Sequence, residues 1–230
     1  MSSQPNQSLI DGLGCLQFLA SARNPVGCRE LARRLDLNPM RANRLLKTLA
    51  EIGLAQQDAK KKYAIGPGIH ALTAQSLFGS SVLKQALPLI KAIDHPGLTV
   101  AIGVLWRGHV TYLYHGSVDE GLEHGIGRIG LVPCFNSSIG RLLLAYEADS
   151  EIERLHSSAE SGMTKQQLLA AIRKIRKQGY AVVGKEPTVG LAVPIGMPPA
   201  MGIALAGIPA NHDLDEYVRE LNDISNRIVL

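Results

Sequence analysis

The segment from Asn38-Pro39 to Gly53 constrains this 230-residue chain more than any other. An Asn side chain can cap free backbone N–H groups, Pro tolerates the first helical position, and Gly is common just past a helix end. One helix is therefore predicted, from about Pro39 to Ile52. Ala42, Leu45, Leu46 and Leu49 recur at spacings of three and four, so their side packs inward. Met40, Arg41, Asn43, Arg44, Lys47 and Thr48 occupy the rest of its surface. A shorter helix, Cys28 to Leu35, precedes it, with Leu31, Ala32 and Leu35 as its apolar side and Asp36-Leu37 as a tight turn. Two short helices joined this way, with a small residue where they cross, make a helix-turn-helix. Further upstream, Leu9, Leu13, Leu16 and Ala20 mark another helix, with Ser8 as its expected N-cap. Asn24-Pro25-Val26-Gly27 is expected only to break the chain.

After the third helix, Leu54 to Gln57 and Lys62 to Ile65 read as two short strands around Asp58-Ala59-Lys60-Lys61. A lysine-tipped hairpin in this place is a wing able to reach phosphates. Charge supports the reading. Residues 1–80 hold ten Lys/Arg against five acids, and residues 81–230 hold fourteen against fifteen. The positive excess lies wholly in the first third, which suggests a polyanion partner for that part alone. Double-stranded DNA is the expected partner, and the candidate contacts are Asn38, Met40, Arg41, Asn43, Arg44, Lys47, Thr48, Lys60, Lys61 and Lys62. Arg and Asn donors suit base edges and phosphates.

The chain resembles the isocitrate-lyase-regulator (IclR) family of bacterial transcription regulators. The resemblance rests on Gln7-Ser8-Leu9, on Arg44-Leu45-Leu46-Lys47-Thr48-Leu49 and on Tyr63-Ala64-Ile65-Gly66. It continues through Gly130-Leu131-Val132-Pro133, Ile139-Gly140-Arg141, Leu143-Leu144-Ala145, Gly179-Tyr180-Ala181, Glu186 and Gly190, and ends at Ile224-Ser225. Asp36 stands where such turns often have Gly, and Asp tolerates the left-handed conformation better than most residues. The expected fold class is α+β: a winged helix-turn-helix over 1–66, a linker helix over 67–81, and a PAS/GAF-like effector-binding and oligomerisation domain over 82–230.

In that last part, strands are expected at Leu98 to Leu105, His109 to Tyr114, Tyr180 to Val183, Leu191 to Ile195 and Met201 to Ile208. Helices are expected at Val82 to Ile93, Ile139 to Tyr146, Thr164 to Gln178 and Leu214 to Ile228. Asn136, Ser137 or Ser138 is the expected cap of the second of these. The resemblance implies a small organic or aromatic acid held between that helix and the central sheet. The implied contacts are Arg128, Cys134, Asn136, Ser137, Ser138, Val183, Gly190, Ala204 and Ala206. Several positions depart from the family. Val183 replaces a common acid, Gly190-Leu191-Ala192-Val193-Pro194 lacks a family Cys, and Ala204 and Ala206 stand where hydroxyl residues are expected. Two readings follow: an unusually apolar ligand, or a reduced pocket that senses nothing in a ligand-independent oligomeric DNA-binding protein. Self-association as a homodimer or a dimer of dimers is expected, because one head reads only a few base pairs.

Other functional classes find little support. Gly125-Ile126-Gly127-Arg128-Ile129-Gly130 matches G-x-G-x-x-G, but no strand is expected before it and no helix directly after it. The seven His residues form no H-x-x-x-H or H-E-x-x-H pair, and no G-x-S-x-G elbow is present. No enzymatic activity, metal or cofactor is expected. Cys15, Cys28 and Cys134 are odd in number and scattered, which fits a reducing cytoplasm. No apolar run approaches the roughly 18–20 residues that span a bilayer, and the N-terminus lacks a signal-peptide pattern. A cytoplasmic protein without membrane attachment is therefore expected.

Overall fold

Two units, residues 1–79 and 80–230, make up the chain in the computed structural model, which describes residues 4–79, 81–126, 130–157 and 162–229. The first unit opens with α1 (Gln7–Ser21), followed by β1 (Val26–Gly27), α2 (Cys28–Arg34) and α3 (Pro39–Glu51). It closes with β2 (Ala55–Gln57), β3 (Lys62–Ile65) and α4 (Pro67–Gly79). Asn6, not Ser8, caps α1: its side chain accepts hydrogen bonds from the Ser8 and Leu9 amides. Val26-Gly27 does more than interrupt the chain. It pairs antiparallel with Lys62 and Tyr63, so the wing is a three-stranded sheet ordered β1-β3-β2. Two residues carry no periodicity, and only pairing with a distant strand identifies them.

The turn between α2 and α3 bears out the reading of Asp36, which takes φ 51°. Beyond it the Leu37 amide donates to Ala32 O at 2.8 Å, a Schellman closure of α2. Asn38 caps α3 through the Met40 amide at 2.8 Å, and Gly53 ends it at φ 76°. Leu31, Ala32, Ala42, Leu46 and Leu49 then bury against Cys15, Leu19, Val26 and Tyr63 in one apolar core. The other side of α3 is left to solvent.

The second unit contains α5 (Ser81–Ile90), β4 (Thr99–Trp106), β5 (His109–Ser117), β6 (Val132–Pro133), α6 (Ser138–Leu144) and α7 (Asp149–Ser157). It continues with α8 (Lys165–Gln178), β7 (Ala181–Lys185), β8 (Thr188–Ile195), β9 (Met201–Pro209) and α9 (Asp215–Asn226). Its antiparallel sheet is ordered β6-β5-β4-β9-β8-β7. Arg107 and Gly108, both at positive φ, form the tight β4–β5 turn. A capping box of Thr164 and Gln167 starts α8. The helix α7, unforeseen in the sequence, is a short one that buries only Ile152 and Leu155.

Four alanines run in register across neighbouring strands: Ala181 beside Ala192, Ala192 beside Ala204, and Ala204 beside Ala101. All four belong to the core formed with Ile139, Leu142 and Leu143 of α6 and Leu168 and Ile172 of α8. Small side chains on the sheet let α6 lie close against it.

Candidate nucleic-acid interface

On α3 the residues predicted to meet DNA divide by what already holds them. Met40, Arg44, Lys47 and Thr48 are exposed, and Asn43 is half-buried. Arg44 and Lys47 form no ion pair among the described residues, so their charge faces solvent. Arg41 is committed to the fold: its Nε lies 2.8 Å from Asp11 Oδ2, joining α3 to α1. That nitrogen is also buried without an aligned acceptor, so the contact is an ion pair rather than a directed hydrogen bond. The Asn38 carbonyl serves the cap, which leaves only its amide nitrogen for a ligand. Thr48 donates its hydroxyl to Arg44 O at 3.0 Å. Met40, Arg44 and Thr48 line one side of a hollow of about 660 Å³, and Asn6, Ser8 and Leu9 line the other.

At the wing tip, Asp58 Oδ1 accepts from the Lys60 amide (2.9 Å) and the Lys62 amide (2.8 Å), while Lys61 takes φ 57°. The acid shapes the turn through backbone bonds. The exposed ammonium groups of Lys60, Lys61 and Lys62 make no ion pair among the described residues. Open cations on α3 and on the adjacent hairpin give this unit a surface chemically able to follow a phosphate backbone.

In the second unit the expected ligand contacts do not converge on one cavity. Cys134 is fully buried, and burial pushes its thiol up to about 11, so it stays protonated and covered. Ser137 is the cap of α6. Its hydroxyl accepts from the Gly140 amide at 3.2 Å, pairs with the Tyr112 hydroxyl at 2.9 Å and is 4% exposed. Ala204 is part of the alanine row in the core. Arg128 lies outside the described residues. Val183, Gly190 and Ala206 do come together, in register with Thr99 on four neighbouring strands. Ser138 stands over this second row, its Oγ 3.4 Å from where a Gly190 Cβ would lie. This shelf is half-buried and poor in polar groups.

Asn136 and Val183 also border a groove of about 540 Å³ whose walls include Arg141, Gln167, Val182 and Gly184. Arg141 was not foreseen as a ligand contact. Its Nε donates to Phe135 O at 2.7 Å, and it has no carboxylate partner among the described residues. Burial alone pulls its pKa down, as expected for a cation removed from water without a counter-ion. The Ile139-Gly140-Arg141 string showed an arginine, but only the packing of α6 half-buries it.

A helix-turn-helix with a basic wing, carried with an antiparallel α+β domain, defines the class: a DNA-binding transcription regulator. Two family models match this chain, the IclR helix-turn-helix domain over residues 8–59 and the bacterial transcriptional regulator IclR C-terminal domain over residues 74–199. The chain belongs to the IclR family, whose members are regulators rather than enzymes. It is 24% identical over 252 residues to the HTH-type transcriptional regulator KdgR of Escherichia coli, covering 99% of this chain and 94% of KdgR. An IclR family regulator from Brucella abortus has a similar fold, with TM-score 0.77, 22% identity, and coverage of 99% of this chain and 94% of that one. An IclR homologue from Microbacterium hydrocarbonoxydans, solved in complex with 4-hydroxybenzoate, gives TM-score 0.60 at 20% identity over 96% of each chain. No described helix is long and apolar enough to cross a membrane.

Proposed function

We propose that this chain is a sequence-specific transcription regulator that acts in the cytoplasm, binds double-stranded DNA as a homodimer or dimer of dimers, and responds to a small organic acid. The observation that carries the DNA reading is the unpaired, exposed state of Arg44 and Lys47 on α3 together with the three wing lysines. The proposed division of labour is a head over 1–66, a linker helix over 67–81 and an effector and assembly domain over 82–230. Within the head, Asn38 and Arg41 hold the recognition helix in place. Met40, Asn43, Arg44, Lys47, Thr48 and Lys60 to Lys62 face the duplex. One head reads few base pairs, and pairing supplies the missing affinity through a near-palindromic site. The test is fluorescence anisotropy with the full chain on a duplex enriched from a randomised library. A pair of heads covering about six to eight phosphates predicts a log–log salt slope of about −5 to −7. A flat salt response would overturn the reading.

For the effector we favour the shelf of Ser138, Val183, Gly190 and Ala206 and the groove that meets it at Val183. Arg141 supplies the positive charge that the shelf lacks, and the apolar shelf suits an aromatic or aliphatic body. Cys134, Ser137 and Ala204 shape this region from within the core instead of touching the ligand. The partly desolvated Arg141 is the observation in favour, because a carboxylate would supply its missing counter-ion. The complex of the Microbacterium homologue with 4-hydroxybenzoate agrees with such a ligand class. Thermal shifts with benzoate, 4-hydroxybenzoate and pyruvate should show stabilisation by at least one acid. Near-saturation, at about 100 times Kd, corresponds to about 2.7 kcal/mol, and Arg141→Gln should abolish most of it. Absence of any shift would favour the alternative, a regulator with a reduced pocket that assembles and binds DNA without a ligand.

A further inference from the structure

The solvent side of α3 carries one large apolar side chain among polar ones. Met40 is 78% exposed at the second residue of the helix. It shares a helical face with Asn43, Arg44 and Lys47, which follow at three, four and seven residues. It also borders the same hollow as Arg44 and Thr48. Scattered exposed apolar residues are ordinary on protein surfaces, so exposure by itself says nothing. Position is what distinguishes Met40, since the N-terminal residues of a recognition helix are those that reach base edges. Its backbone is fixed there by the Asn38 cap. Its side chain takes no part in the apolar core of the head.

The thioether cannot donate a hydrogen bond and accepts only weakly. Phosphates and the polar atoms of base edges therefore offer it little. In the major groove just one base presents an apolar group, the C5 methyl of thymine. A flexible, polarisable methionine is well suited to close over a methyl whose exact place varies with local DNA shape. We propose that Met40 is a specificity-determining residue that reads a thymine C5 methyl by apolar contact at one position of each half-site. The proposal rests on the DNA-binding reading above. Recognition is then split: Arg44 and Asn43 interrogate hydrogen-bonding edges, and Met40 senses the one feature that no donor or acceptor can read.

The test uses the full chain and a duplex enriched from a randomised library. Each thymidine is replaced singly by deoxyuridine, which removes the methyl and keeps every hydrogen-bonding group. The expected result is one thymine per half-site whose replacement weakens wild-type binding about fourfold, the factor for roughly 0.8 kcal/mol of buried methyl. Met40→Ala should bind the thymine and uracil duplexes equally, and Met40→Leu should keep the discrimination. Insensitivity of the wild type at every position, or undiminished discrimination in Met40→Ala, would overturn the proposal while leaving DNA binding intact. Failure to enrich any duplex would instead remove the reading beneath it, and the proposal with it.

Discussion

Arg44→Ala is expected to reduce operator affinity by at least about 30-fold while leaving the head folded. A well-aligned Arg contact to a base edge contributes about 1–3 kcal/mol of discrimination, and a regulator bound as the proposed pair loses it twice. The sum, about 2–6 kcal/mol, corresponds to factors from roughly 30 to 10⁴ at 1.4 kcal/mol per decade. The folded state has little to lose, because Arg44 is exposed and holds no acid among the described residues. Surface substitutions of this kind stay within about 0.5 kcal/mol, or about 4 °C for a unit of this size. Anisotropy on the enriched duplex and thermal melting of the same sample separate the two effects. A variant that melts normally and still binds within threefold of wild type would show that α3 does not enter the groove. The contrast with Arg41 is structural. Removing Arg41 would take the counter-ion from Asp11, which is only 11% exposed and would keep the Gln7 Nε2 hydrogen bond at 2.7 Å, so a binding defect there would be mixed with a folding defect.

The difference between those two arginines marks where sequence reading stops. Both lie on the polar side of a strongly periodic helix, and nothing local separates them. Asp11, thirty residues away on α1, assigns one to the fold and leaves the other free. The helix itself was legible because its signals are local: Asn38 and Pro39 at the start, Gly53 at the end, and an apolar stripe between them. Asp36 was legible for the same reason, as a short polar residue adopting φ 51° in a tight turn. Elements defined by distant partners were not. Val26-Gly27 becomes a strand only by meeting Lys62 and Tyr63. The cap of α1 moved from Ser8 to Asn6 because either residue can cap, and only the backbone path decides between them. In the second unit five strands lie close to the apolar runs that predict them, the two-residue β6 is identified only by its pairing with β5, and the ligand contacts implied by the resemblance fall on both sides of a packing boundary. Cys134, Ser137 and Ala204 lie within the core. Ser138, Val183, Gly190 and Ala206 lie at its rim, and Arg141 was visible as a letter without its burial.

That boundary is set by how closely α6 is held, and Gly140→Ala is expected to break it. A Cβ at position 140 would overlap the Cys134 carbonyl oxygen and sit 2.6 Å from the Cys134 Cα, both backbone atoms that no rotamer change can move. Relief by lifting α6 is blocked on its other side. Ile139 and Leu142 already lie 3.1 and 3.3 Å from where a Gly202 Cβ would stand, and the alanine row fills the remaining space. Cys134 and Phe135 cannot yield either, being 0% and 2% exposed within the same core. Overpacking a well-filled core costs about 1–3 kcal/mol, and a clash confined by backbone on one side and sheet on the other belongs near the upper end. For about 150 residues this amounts to roughly 6–12 °C of melting temperature. Calorimetry of the full chain should show the transition of residues 80–230 moved down by that amount. Stabilisation by organic acids should fall as well, since Ser138 and Arg141 flank the substituted residue. Among the described residues, the apolar core of the head is built from Cys15 to Ile65, so its own packing is expected to survive the substitution. An unshifted calorimetric trace would mean that α6 has slack the geometry does not show, and the close seating that separates rim from core would have to be abandoned.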